Sequence, residues 1–272
     1  FSLANQEVLI NQHASFFSMD WSNITNDQVL LFDSTLYAHG DITLNKRLTL
    51  LRNVNFSGIQ FIEQSIFNAD SAAIDCAFTI IMDSITDSLI LASDVLMSDS
   101  SSCIVFTGNL STEGYMLKTG SLKTINNPFS GSDHRTVNIS NSTLHLSLEF
   151  NSSGDTSLVF DAANSIIYLG DTVDYINSLK TENLIFNDVV LNFRPSPTMQ
   201  IIQGNNSYSN LIVEKGSQVY LMEGSQQTIT DSLVLIGNCL DSISILSSDT
   251  ITFNSAAVVI SSPAKSQVEC VN

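Results

Sequence analysis

The chain has 272 residues, with 27 acidic against only 10 basic side chains and a formal net charge of −17. Its 43% hydrophobic content is too high for a disordered chain. The acidic field, relieved only by the short cluster Lys46, Arg47 and Arg52, argues against nucleic acid and anionic membrane as partners.

Charged residues make up 14%, below the ~25% usual for soluble domains, so Ser, Thr and Asn must supply most of the polar surface. The longest hydrophobic stretch, Ala77 to Met97, is interrupted by Asp83, Asp87 and Asp94 and cannot cross a bilayer. The chain begins at Phe1 without a leader and stops inside the strand-like Val268-Glu269-Cys270-Val271. The expectation is a fragment of a longer, exported chain.

In chain order, the first stretch, with Val8-Leu9-Ile10 and Phe16-Phe17, reads as a short helix or a capping strand. Trp21, the single tryptophan, is expected to plug the first coil. From there on, short apolar runs alternate with Ser, Asn, Asp and Gly breaks. Val29 to Phe32, Ile42 to Leu44, Cys103 to Phe106, Leu144 to Phe150, Leu158 to Phe160, Ile166 to Leu169 and Leu184 to Phe186 are such runs. Leu211 to Val213, Val219 to Met222, Leu233 to Ile236 and Ile243 to Leu246 continue the series. Each suits a strand and is too short for a helix.

Internal likeness separates a solenoid from a sandwich. Asp87-Ser88-Leu89-Ile90-Leu91 returns as Asp231-Ser232-Leu233-Val234-Leu235, and Asn183-Leu184-Ile185-Phe186 as Asn210-Leu211-Ile212-Val213. A single coil cannot bury its own apolar face, so such units must stack. Pro128, Pro195, Pro197 and Pro263 all fall between the runs, where no ladder hydrogen bond is lost. These features predict an all-β, single-stranded parallel β-helix (β-solenoid), right-handed, as one elongated segment over 1–272, with a tandem β-sandwich as the alternative. The Gly-, Ser- and Asn-dense stretch 112–135 is expected to leave the solenoid wall as a loop, with a domain junction as the alternative.

The cysteines fall into two local pairs, Cys76 with Cys103 and Cys239 with Cys270, about one coil apart. Neighbouring coils would bring each pair together, so these are disulfide candidates in an oxidising compartment, with buried free thiols as the other outcome.

Residue patterns that carry chemistry are sparse in this chain. A glycosidase needs two carboxylates at a set separation. Asp83 with Asp87 and Asp171 with Asp174 could supply them, but both pairs sit at expected corners of an Asp-rich chain. A lyase also needs a strong base beside the acids, and none is near. His13, His39, His134 and His145 have no metal-ligand spacing, and no nucleophile elbow, phosphate loop or calcium loop is present. No catalytic residue, cofactor or metal is therefore expected. The seven N-x-S/T triplets are about what this composition gives by chance.

Asp followed by Ser or Thr and an apolar residue recurs at Asp70, Asp83, Asp87, Asp171, Asp231, Asp241 and Asp249. Corner-then-strand patterning explains part of this. The tripeptide also resembles the acceptor motif for O-linked glycosylation of exported Bacteroidetes proteins. That resemblance would make Ser71, Ser84, Ser88, Thr172, Ser232, Ser242 and Thr250 candidate sites where the hydroxyl faces solvent.

The stretch Ser209 to Leu221, and its continuation through Gln227-Thr228-Ile229-Thr230 and Leu233 to Cys239, is similar to repeat rows of very large Bacteroidetes cell-surface proteins. Ala257 to Ile260 and Val268 to Val271 continue that likeness. The resemblance implies secretion by the type IX system and a structural, gliding or adhesin role at the cell surface. The partners it implies are neighbouring repeats, the secretion machinery during export, and surface glycans or other cells. Shared fold alone does not fix function. The competing expectation is a carbohydrate-active β-helix, a polysaccharide lyase or glycosidase.

Overall fold

The computed structural model describes residues 6–54, 57–82, 84–125, 134–170, 177–191, 199–238, 243–247, 256–260 and 265–271. All regular structure among them is β-strand, and every pairing is parallel. The chain is a β-solenoid. Parallel pairing throughout rules out the sandwich, whose sheets are antiparallel. The opening residues form the strands Gln6–Ile10, Ala14–Phe16 and Met19–Asp20 and no helix.

Each coil visits three walls. The first is founded on Gln6–Ile10, Gln28–Phe32, Leu48–Arg52 and Ala73–Asp75. The second begins with Ala14–Phe16, Thr35–Ala38, Gly58–Phe61 and Ala77–Ile81. Met19–Asp20, Ile42–Thr43, Ser65–Asn68 and Ser88–Leu91 start the third. Longer strands bend through corners: Ser102–Ser111 serves the second and third walls, and Asn206–Val213 the third and first.

Strand alternation sends every second residue inward, so equivalent positions pile into columns. On the first wall Leu117, Leu144, Ile167, Val189, Leu211 and Leu233 lie in register, all buried. Leu36, Ile59, Phe78, Cys103, Leu122, Phe150, Leu179, Ile202 and Leu221 form a similar column on the second. Each apolar side chain is thus covered by those above and below it, and the core is one continuous cluster. Trp21 packs, partly buried, against that cluster near its start.

The expected loop over 112–135 is corrected in its middle. Leu117–Thr124 is a full rung that pairs with Thr143–Asn151. Its inward residues Leu117, Thr119, Leu122 and Thr124 keep the alternation on either side of Gly120. A Cβ on Gly120 would stand 2.1 Å from the Asp99 carbonyl oxygen, so glycine lets the corner close on the previous coil. Residues 126–133 lie outside the described ones.

The disulfide expected between Cys76 and Cys103 is also corrected: both are free, buried thiols. In register Cys103 sits beside Phe78, two residues past Cys76, so the local step between coils misses the pairing. Burial, with Asp75 adding its negative charge, pushes the Cys76 thiol up, and burial pushes Cys103 up to about 12. Neither should react with a thiol alkylator at neutral pH in the folded protein, and both should react in denaturant. Peptide mapping by mass spectrometry checks this; labelling of either in the native state would refute it. Cys239 lies outside the described residues, and nothing is described of the Cys270 side chain.

A polar column interrupts the core on the second wall. Asn177 stacks on Gln200, and Val219 follows. Asn177 is fully buried, and neither of its amide atoms has a hydrogen-bond partner among the described residues. An unsatisfied buried polar group costs about 1–3 kcal/mol. Asn177→Val, which continues the Val219 pattern, should therefore raise the urea midpoint at unchanged circular dichroism. A lowered midpoint would show that the amide is bonded after all.

Candidate functional site

Two surface features merit a chemical reading, one charged and one neutral. The charged feature runs down the corner between the first and second walls. There Arg52 Nε lies 3.5 Å from Asp75, which also accepts a hydrogen bond from Ser98 Oγ at 2.6 Å. One coil on, Asp99 faces Lys118 Nζ at 3.3 Å and accepts the Ser147 hydroxyl at 2.6 Å. Lys123 Nζ meets Glu149 at 2.5 Å on the adjoining stretch of the second wall. Acids and bases do converge here, but each carboxylate is held by a cation of a neighbouring coil. Such pairs neutralise one another, and a general acid needs the reverse, a carboxyl whose protonated form is favoured.

The acid pairs singled out from sequence are not brought into such a seam. Asp83, Asp171 and Asp174 lie outside the described residues, and the Asp87 backbone carbonyl accepts the Asn109 N–H at 3.0 Å at the start of a third-wall strand. The histidines are dispersed: His39 Nδ1 stands 3.2 Å from Glu63, and His145 stacks on Tyr168 at 4.6 Å. Among the described residues no three His, Cys, Asp or Glu side chains gather as a metal site.

Of the candidate glycosylation hydroxyls, Ser71 sits exposed in a turn with positive φ. Ser84 and Ser88 are half-buried, and the Ser84 hydroxyl lies 2.8 Å from that of Thr86. Ser232 donates its hydroxyl to Asn210 in the coil before it. Thr172, Ser242 and Thr250 lie outside the described residues.

The neutral feature arises from a break in the third wall. Leu158–Asp161 pairs back to Arg135–Asn138 but forward to no described strand. Ile185 and Phe186 pair forward, to Ser207 and Tyr208, and back to none on this wall. Between the two unpaired edges the rings carry the stack. Phe160 meets Phe186 at 5.3 Å, and Phe186 stacks on Tyr208 at 5.5 Å. Phe160 is only half-buried, because the next rung does not close over it.

The break opens a depression of about 210 Å³ lined by Phe160, Asp161, Ala163, Ile185, Asn187 and Ser209. A second, of about 360 Å³, lies on the other side of Ile185, where Asn183, Asn205, Ser207, Gln226 and Thr228 line it. Ile185 is common to both and is 73% exposed, so it stands as an apolar ridge between them. Side-chain hydrogen bonds cross the floor beside the second depression. Thr181 donates to Asn206 Oδ1 at 2.9 Å, Gln227 Nε2 donates to the Gly204 carbonyl at 2.7 Å, and the Tyr208 hydroxyl donates to Gln227 Oε1 at 2.8 Å. Burial pushes the Tyr208 phenol far up, so it remains a donor at any physiological pH. At the rim, Asn205 Oδ1 accepts the Gln226 N–H at 2.7 Å.

No family model, curated protein or solved structure matches this chain. The site must therefore be read from its own residues. Sequence reasoning missed the break, because Leu158 to Phe160 and Leu184 to Phe186 each look like ordinary rungs. What differs is the spacing. Phe186 follows Phe160 by 26 residues, whereas Tyr208 follows Phe186 by 22.

Proposed function

We propose that this chain is a non-catalytic structural and adhesive segment of a large extracellular bacterial surface protein exported by the type IX system. The observation that carries the reading is the pairing along the charged corner. There Arg52, Lys118 and Lys123 each meet an acid of a neighbouring coil, which ties rungs together, and among the described residues these acids and bases face one another rather than an open cleft. The likeness of Ser209 to Leu221 to repeat rows of Bacteroidetes surface proteins supplies the cellular setting. The solvent-facing Ser71 is the best placed of the O-glycosylation candidates under that reading.

The test has two arms. Antibodies to this segment should label intact cells, and labelling should vanish when the type IX machinery is inactivated. Purified protein should release no products from a panel of neutral and acidic polysaccharides. Turnover abolished by replacing Glu149, Asp99, Asp171 or Asp174 would replace this reading with a carbohydrate-active enzyme.

A further inference from the structure

We infer that the break in the third wall is a binding groove for an uncharged glycan. The inference deepens the adhesive reading and rests on display of the segment outside the cell. Three properties of the lining select this ligand class.

The first is charge. In a protein of net charge −17, the lining of both depressions holds no cation among the described residues, and Asp161 is the one charged group among them. Anionic polysaccharides, nucleic acids and acidic peptides would meet repulsion without compensation.

The second is hydrogen bonding. Asn183, Asn205 and Gln226 offer amides that donate and accept, and Ser207 and Thr228 offer hydroxyls that do both. A sugar hydroxyl also plays both roles, so a row of neutral two-way groups matches it without a buried charge. The third is the ridge. Ile185, flanked by Ala163 and Phe160, gives an apolar surface against which the C–H face of a pyranose can lie.

Geometry favours a polymer over a single sugar. Ile185, Ser207 and Thr228 lie in register on three successive rungs, which are spaced about 4.8 Å apart in a β-sheet. The groove thus follows the solenoid axis, and a linear glycan would run along it across the rungs. The underlying bonds of Asn206, Gln227 and Tyr208 hold these positions before any ligand arrives, which lowers the ordering cost of binding.

Affinity electrophoresis of the full chain in gels containing a neutral β-glucan, mannan or dextran, or acidic alginate or polygalacturonate, tests the inference. At least one neutral polymer should retard the protein, and the acidic ones should not. Ile185→Asp and Gln226→Ala should each weaken retardation at least tenfold at unchanged thermal midpoint. Ile66→Asp, at an exposed site on the same wall outside the groove, should leave it intact. Absence of retardation by every neutral polymer, retardation indifferent to Ile185→Asp, or preference for an acidic polymer or an extended peptide would each overturn the groove. If cells still carry the segment on their surface, such a failure removes the ligand assignment alone.

Discussion

Arg135→Ala should lower the unfolding free energy by about 3–5 kcal/mol, the usual cost of stripping one partner from a buried ion pair. The side chains of Arg135 and Asp155 are both essentially inaccessible. The guanidinium donates through Nε and Nη2 to the two Asp155 oxygens at 2.6 Å, in the bidentate geometry that makes such pairs strong. A further bond goes to Ser157 Oγ, and Nη1 donates to the carbonyls of Phe106 at 3.0 Å and Ile125 at 3.4 Å. Those carbonyls and Asp155 belong to different coils, so one side chain ties several rungs at the corner between the second and third walls. Alanine would leave a buried carboxylate without its counter-charge, held only by the Ser157 N–H and hydroxyl, and would remove the guanidinium from two carbonyls. Urea titration followed by circular dichroism reads the loss. A deficit under 1 kcal/mol would mean that water reaches the pair. The double variant Arg135→Met with Asp155→Leu should recover most of the stability, since both charges then leave together.

The same pair sets an acid limit. Burial acts to raise the Asp155 carboxyl, but hydrogen bonds from Arg135, the Arg135 charge and the Ser157 N–H together hold it below the ordinary carboxylate value. A depressed folded-state pKa contributes stability that is fully present above the unfolded value near 4. It is lost as pH falls from there through the lower folded-state value. The urea midpoint of the wild type should therefore drop below pH 4 more steeply than that of the double variant. Parallel profiles would separate the acid sensitivity from Asp155.

Gly204→Ala should cost about 3 kcal/mol, through backbone and packing at once. Gly204 has a φ of +86°, in the left-handed region that costs other residues roughly 1–2 kcal/mol. A Cβ there would also fall 1.6 Å from the Thr181 carbonyl oxygen, which is backbone and cannot swing aside. Relieving that overlap means moving one coil against the next, and overpacking of this kind costs about 1–3 kcal/mol. Gly154 is the control: its φ is +76° but no atom lies within 4 Å of the added Cβ. Gly154→Ala should show only the backbone part. Equal losses at the two sites would refute the close-approach argument.

The strands were legible because short apolar runs such as Val29 to Phe32 and Leu144 to Phe150 are bounded by Ser, Asn, Asp and Gly breaks. The stacking partners were not. Asp87 to Leu91 and Asp231 to Leu235 read alike, yet the first lies on the third wall and the second on the first wall. The two units share a corner residue followed by a strand, a local pattern that serves any wall. Coil length hid the rest. The step is 20 residues from Leu30 to Leu50 and 33 from Leu233 to Ser266, since corners absorb insertions without disturbing the walls. A variable step also misplaced the Cys76–Cys103 pairing and concealed the groove. Arg135, one of few basic residues in a Ser- and Asn-rich stretch, gave no sign of being interior.

The interrupted third wall has a mechanical side. A rod whose rungs are hydrogen-bonded on all three faces resists bending equally in every direction. Where one face is joined by packed side chains without a ladder among the described strands, shear along that face meets less resistance, and the rod acquires a preferred plane of flexure. A rod carrying such a joint can flex in that plane while its remaining two faces keep the coils together. Hydrogen exchange should locate the joint as a local minimum in amide protection at Leu158–Asp161, with slower exchange at Asn206–Val213 and at Arg135–Asn138; uniform protection across the three would show the rod to be equally stiff throughout.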